Sequence, residues 1–167
     1  TFSVNMLNFY QLDCKVIQFL LCWLPISLFS QEQTSGIFND LNEALKQPSK
    51  VIELSLEGKN LEAVPVEIQK FYNLKYLSLD SNLISSIPMW LSSFEKLQEI
   101  RLNKNCLTIF PESITFLEQL VTLELRDNQL TIIPNSIGRL YNLSKLDVSG
   151  NKISLIENGF FKLSNLK

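Results

Sequence analysis

Histidine is absent from the 167 residues, and with it go the commonest general base and the commonest protein ligand for a metal ion. Cysteine occurs three times. Cys14 and Cys22 lie in an apolar leader, so Cys106 stands alone once that leader is removed, and no intrachain disulfide can form. A thiol with no imidazole to deprotonate it is a poor nucleophile. There is no glycine-rich phosphate loop. Fifteen basic against seventeen acidic residues leave a net charge of -2, without the basic stripe that nucleic acid requires. Catalytic, cofactor-binding and metal sites are therefore not expected.

Long apolar runs are also scarce, with one exception. VIQFLLCWLPISLFS, Val16 to Ser30, carries no charge and follows Lys15. It is short of the about 20 residues that a membrane-spanning helix needs and contains Pro25, so no stable membrane span is expected. It suits the hydrophobic core of a secretory signal, with a cleavage point after the small Ser30 and a mature start near Gln31. An uncleaved anchor or a frayed tail are the alternatives, since Asp13 offsets Lys15. A lipoprotein reading of Cys22 is weakened by Leu21, where a small residue is preferred. The chain opens on Thr1 and its first methionine is Met6, which reads as a start upstream of the true one or as a fragment.

What the sequence has in quantity is leucine at a fixed period. LVTLELRDNQLTIIPNSIGRLYN, residues 120–142, has the form L-x-x-L-x-L-x-x-N-x-L-x-x-I-P-x-x-I-x-x-L-x-x. Blocks of 23 residues begin without gaps at Val51, Leu74, Leu97, Leu120 and Leu143, and another begins at Leu166. In each block two inward residues alternate with polar ones: Leu54 and Leu56, Leu77 and Leu79, Ile100 and Leu102, Leu123 and Leu125, Leu146 and Val148. That alternation predicts short strands. Equal periods place them side by side and parallel, about 4.8 Å apart, in a sheet of five strands roughly 20 Å wide.

After the strand the chain must turn inside the stack, where backbone groups would lack ladder partners. One amide can both donate and accept, so Asn82, Asn105, Asn128 and Asn151 are read as a buried structural ladder. The I-P-x-x-I-x-x-L half puts Ile133, Ile137 and Leu140 on one side of a short helical turn. Pro65, Pro88, Pro111 and Pro134 suit its first position. A convex side bulkier than a strand bends the stack and leaves the sheet on the concave face.

Ahead of the first block, IFNDLNEALK, residues 37–46, spaces Ile37, Phe38, Leu41, Ala44 and Leu45 on one side of a predicted helix. Thr34 or Ser35 would cap it and Pro48 lies beyond its end. An amphipathic helix here can cover the open apolar end of the first strand. The expected organisation is a leader over 1–30, a cap over 31–50, and repeats over 51–167.

This motif resembles the leucine-rich repeat, in the group that includes intracellular Ras-scaffold and plant disease-resistance-like proteins. The lead-in FNDLNEALKQPSKVIELSLEGKNLEAVPVEI behind SLFSQEQ is similar to exported bacterial leucine-rich-repeat proteins of the spirochaete kind. The resemblance covers Ile37 to Lys167. It implies an α/β solenoid with a concave parallel sheet, helical or 3-10 convex turns and a capping helix. It further implies protein binding outside the cytoplasm, with host matrix or cell-surface proteins as the family's expected partners. Three positions depart from the pattern. Lys59 stands where the first ladder asparagine would be, with Asn60 beside it. Glu157 replaces proline before NGFF, so the fifth convex turn is expected to differ, with Phe160 keeping the inward slot. No capping sequence follows Leu166, which points to missing repeats, a truncated product, or pairing of copies through that end.

The strand positions between the inward leucines face the concave side, and unlike the leucines they do not repeat. Tyr76, Asp80, Glu99, Arg101, Asn103, Glu124, Arg126, Lys145 and Asp147 are the candidate partner-binding residues, with Tyr76, Arg101 and Arg126 as anchors by residue type. Against this, Arg101 and Glu124 are placed to pair with each other as a solvated ion pair. Val66, Met89 and Trp90 on the convex turns form a second candidate surface, for which packing on a neighbouring turn is the simpler reading. Asn142-Leu143-Ser144 matches a glycosylation sequon of a kind expected by chance. The sequence thus favours an exported, non-catalytic module that binds a protein ligand. The alternatives are a cytoplasmic scaffold or enzyme regulator, or a fragment that has lost a catalytic domain.

Overall fold

Leu54, Leu77, Ile100, Leu123 and Leu146 stand opposite one another, strand to strand, in one parallel sheet. The computed structural model describes residues 36–167. The apolar leader, its cleavage point at Ser30 and Gln31, Cys14, Cys22, and the Thr34 and Ser35 caps lie outside the described residues.

The main sheet runs β1 (Ile37–Phe38), β2 (Glu53–Ser55), β3 (Tyr76–Ser78), β4 (Glu99–Arg101), β5 (Thr122–Glu124) and β7 (Lys145–Asp147), in that order and all parallel. The strands are three residues long because the inward pair is all the repeat can bury before it turns. Backbone bonds extend the ladder past them: Leu56, Leu79, Leu102 and Leu125 donate to Ser78, Arg101, Glu124 and Asp147 at 2.7–2.9 Å. A second parallel pair, β6 (Ile132–Ile133) with β8 (Leu155–Ile156), forms on the flank of the last two repeats.

The convex side is built from 3-10 turns at Val66–Lys70, Met89–Ser93, Glu112–Phe116, Asn135–Arg139 and Asn158–Lys162. Pro65, Pro88, Pro111 and Pro134 sit at the N-cap of these turns, one place before the first helical position. Each turn drives one aliphatic side chain inward, and Ile68, Leu91, Ile114 and Ile137 are fully buried. The fifth turn does not differ in kind. Glu157 takes the extended N-cap conformation of the prolines, which any residue can adopt, and its carboxylate accepts from the Asn135 backbone N–H at 2.6 Å. Gly159 is needed there, because a Cβ would lie 1.9 Å from the Asn135 carbonyl oxygen. Phe160 is half-buried against the core.

The cap helix α1 (Leu41–Lys46) is shorter than its spacing predicts. Asp40 caps it by accepting from Glu43 N–H at 3.0 Å, and Ile37 and Phe38 join the sheet as β1 instead of extending the helix. Gly36 offers its carbonyl to the N–H groups of both Ile52 and Glu53. Pairing the free edge of β2 satisfies backbone groups that a helix could only have shielded. Ala44 is fully buried, whereas Ile37 is half exposed.

Every turn from strand to flank passes through a left-handed residue, Gly58, Ser81, Lys104, Asp127 or Gly150, and the first turn has a second at Asn60, all with φ between 53° and 67°. Side chains with a Cβ tolerate this conformation at some cost, and Gly150 also has little room, since a Cβ would come within 2.1 Å of the Asp127 carboxylate. Gly150→Ala is therefore expected to destabilise by about 1–3 kcal/mol. Lys104→Gly should be nearly neutral, because relief of the strain offsets the added freedom of the unfolded chain. Urea denaturation of the two variants checks the contrast.

Candidate functional site

The sheet's outward face is formed by the residues that alternate with the buried leucines. All nine candidate positions from Tyr76 to Asp147 lie on it or at its end. Arg101, Arg126 and Lys145 are exposed, Tyr76 is 37 % exposed, and Asp80, Glu99, Asn103, Glu124 and Asp147 are half-buried.

Several of these side chains already have partners within the fold. Asp80 accepts from the Asn103 backbone N–H at 2.6 Å and from its side-chain amide at 3.3 Å; that amide also donates to Glu124 at 2.9 Å. Asn103 in turn accepts from the Arg126 backbone N–H at 2.9 Å. A polar thread therefore crosses from the second repeat to the fourth. Arg101 meets Glu99 on its own strand at 2.5 Å and reaches Glu124 only at 4.0 Å. The ion pair expected between Arg101 and Glu124 is thus secondary to one the alternation did not suggest, and Glu124 takes Lys145 at 2.5 Å. Asp147 accepts from the N–H and hydroxyl of Ser149. Arg126 leans on Asp127 at 3.3 Å.

These contacts set the titration of two carboxyls in opposite directions. The hydrogen bond from Lys145, aided by Asn103 and by the charges of Lys145 and Arg101, holds Glu124 below the usual carboxylate range despite its burial. Such a group contributes stability that is complete above its unfolded pKa and lost as pH falls through its lowered folded value. Burial raises Asp80, and the negative charges of Glu57 and Glu124 add to it, against the hydrogen bonds from Asn103. Its contribution has the other sign, present in acid and lost as pH rises through the raised value. In an acid titration of unfolding free energy, Glu124→Gln should therefore lose less stability than the parent below about pH 4.

The asparagine positions lie on the opposite side of the sheet. Asn82, Asn105 and Asn128 are buried and Asn151 half-buried. Each accepts one backbone N–H from the preceding repeat, on Leu61, Ile84, Leu107 and Leu130 respectively, at 2.9–3.0 Å. Each also donates to a carbonyl of the preceding repeat and to two of its own turn, as Asn128 does to Leu102, Leu125 and Arg126. Asn73, Asn142 and Asn165 form a sparser row on the other flank, donating to Ser49, Glu118 and Tyr141 carbonyls at 2.6–2.9 Å. The residue just before each block-starting leucine was the available signal for that row. The sequon asparagine Asn142 is thus tied into a repeat-to-repeat bond.

On the convex side Val66 and Met89 are exposed, but Trp90 is half-buried and packs against Phe94 with ring centroids 6.3 Å apart. Among the described residues no group of three acidic or cysteine side chains is placed to hold a metal ion. Cys106 is a half-buried free thiol. No helix of the described residues is long and apolar enough to cross a membrane.

Stacked parallel strands, repeated convex turns and an outward face of unrepeated polar residues define a solenoid of the kind that commonly binds proteins. The chain is a leucine-rich-repeat protein: the family model for the leucine-rich repeat matches residues 73–130 and 103–153. A leucine-rich-repeat protein of Leptospira interrogans superposes with a TM-score of 0.73 at 33% identity, over 77% of this chain and 33% of that one. An internalin of Listeria monocytogenes shares the fold, with a TM-score of 0.63, 24% identity, and coverage of 77% and 36%. The ectodomain of an Arabidopsis thaliana receptor kinase, solved in complex with a Casparian strip integrity factor, gives 0.60 at 28% identity over 70% of this chain and 15% of that one. The chain thus spans about a third of the length of the two bacterial structures. No curated protein sequence matches it.

Proposed function

We propose that this protein is an exported, non-catalytic module that recognises a protein ligand through its concave sheet face. The observation that carries the reading is the contrast between the two sides of each strand. Inward positions hold leucine or isoleucine in the first four repeats, whereas outward positions change charge, size and hydrogen-bonding type from one repeat to the next. Packing and sheet pairing do not account for that variety, and a surface that must match one particular partner does. Tyr76, Arg126 and Lys145 keep exposed surface for contact, while Asp80, Asn103 and Glu124 stiffen the platform beneath them.

Export is the reading of the Val16–Ser30 run, with host surface or matrix proteins as the class of ligand suggested by the bacterial likeness. Sequencing the N-terminus of protein recovered from its native source tests export: a start near Gln31 supports it, and an intact leader in the cytosol refutes it.

For the binding surface, ligands can be selected from a display library of random protein fragments and their affinities compared on two variants. Tyr76→Ala with Arg126→Ala should weaken the selected ligands at least tenfold. Val66→Ser with Met89→Ser should leave them within twofold. The reverse ranking would move the binding surface to the convex turns.

A further inference from the structure

The outward face is not evenly compensated in charge. On β4 and β5 each acidic side chain has a cationic partner, Glu99 with Arg101 and Glu124 with Lys145, and Asp147 on β7 accepts from Ser149 and feels the charges of Arg126 and Lys145. The three outward residues of the first repeat are Glu53, Ser55 and Glu57, and those of the second are Tyr76, Ser78 and Asp80. Among the described residues no cationic group lies within ion-pairing distance of Glu53, Glu57 or Asp80. Neither Glu53 nor Glu57 makes a side-chain hydrogen bond there. Among the described residues Glu53 and Glu57 of the first repeat are thus the outward acids to which the fold gives neither an ion pair nor a side-chain hydrogen bond.

A recess of about 260 Å³ opens beside these two carboxylates, lined by Glu53, Glu57, Tyr76, Glu99 and Arg101 among others. Tyr76 contributes ring surface beside the carboxylates, and its hydroxyl has only a 3.4 Å contact with Gln98. An aromatic face next to a carboxylate is the pairing that a guanidinium or ammonium group on an apolar stem engages, by stacking and charge together. A single metal ion fits less well. Glu53 opens β2 and Glu57 lies in the turn that follows it, and no three acidic side chains converge on a point among the described residues.

We infer that the N-terminal two repeats of the concave face form a docking surface for a basic segment of the partner protein, one arginine or lysine of which enters the recess beside Tyr76 and the Glu53 and Glu57 carboxylates. This deepens the reading of the concave face as the binding surface and rests on it. Burial is the main cause of the raised pKa of Asp80, and the negative charge of Glu57 adds to it.

The test uses the full chain and two fluorescein-labelled peptides, hexa-arginine and hexa-glutamate, followed by fluorescence anisotropy. Hexa-arginine should bind, more weakly as salt rises, and hexa-glutamate should not. Glu53→Gln with Glu57→Gln should weaken hexa-arginine at least tenfold. The control Glu95→Gln with Glu118→Gln removes the same charge from the flank and should change it less than twofold. Since neither Glu53 nor Glu57 has a side-chain bond in the fold, both double variants should melt with the parent. The inference is overturned if the two pairs weaken the peptide equally, if hexa-arginine does not bind, or if micromolar calcium displaces it through the same two glutamates. Selected ligands that still depend on Tyr76 and Arg126 but ignore Glu53 and Glu57 would remove this inference alone. Ligands indifferent to the whole face would remove the concave reading with it.

Discussion

Leu125→Ala is expected to lower unfolding free energy by about 2–5 kcal/mol, the range for removing a fully enclosed leucine side chain. Leu125 has no exposed surface and occupies the slot that Leu102 fills one repeat earlier and Val148 one repeat later. The void would open inside the stack, between the third and fifth repeats, where close packing leaves little to move in. The adjacent residue should behave oppositely. Arg126 is exposed, its ion pair with Asp127 is solvated, and the hydrogen bonds it lends the fold come from its backbone, the N–H to Asn103 and the carbonyl from Lys104 and Asn128, which alanine retains. Arg126→Ala should shift stability by less than about 1 kcal/mol. Equal losses in chemical denaturation would mean that the inward and outward faces are assigned wrongly.

The second large effect belongs to Asn128. Asn128→Ala deletes four hydrogen bonds, but not all leave an orphan. The Leu102 carbonyl still receives Asn105 and the Leu125 carbonyl still receives Asn151. The buried N–H of Leu107 has Asn128 alone, and stranding it costs roughly 1–3 kcal/mol in addition to the bonds lost. A total near 3 kcal/mol is expected. Asn151→Ala should cost about half of that, because Asn151 is half-buried and water can replace it. Asn128→Asp should be worse than alanine at neutral pH, since a carboxylate would face carbonyl oxygens and could not donate. Protonation restores a donor, so this variant should regain stability as pH falls, opposite in sign to the Glu124 effect. Thermal melts of the three variants at neutral and acid pH decide the order.

The leucine spacing made the parallel stack legible, because a period without gaps allows one register and the strands take it. Other features depended on choices the spacing does not make. Five residues with one inward aliphatic serve an α-turn or a 3-10 turn equally well, and the short reach between repeats selects the tighter form. Ile37 and Phe38 satisfy a helical stripe with Leu41 and Leu45, yet the unpaired edge of β2 draws them into the sheet. Glu157 broke the proline pattern without breaking the turn, since that position asks only for an extended backbone. On the outward face the alternation placed Arg101 beside Glu124, but side-chain reach gave Arg101 to Glu99 and Glu124 to Lys145. Which charges remain unanswered, Glu53 and Glu57 among them, follows from those pairings and not from the period.

Three-residue strands in common register also impose a pitch on any ligand lying across them. Rungs recur about every 4.8 Å, whereas an extended peptide turns a side chain toward one surface about every 6.8 Å. Such a ligand falls out of step after one or two rungs. A helix repeats every 5.4 Å or so, drifts only about 0.6 Å per rung, and stays nearly in phase over two or three rungs. Equivalent slots on successive repeats can therefore be read in series by a rod of helical pitch, while an unfolded tail has to cross along a single strand or touch the face at isolated points.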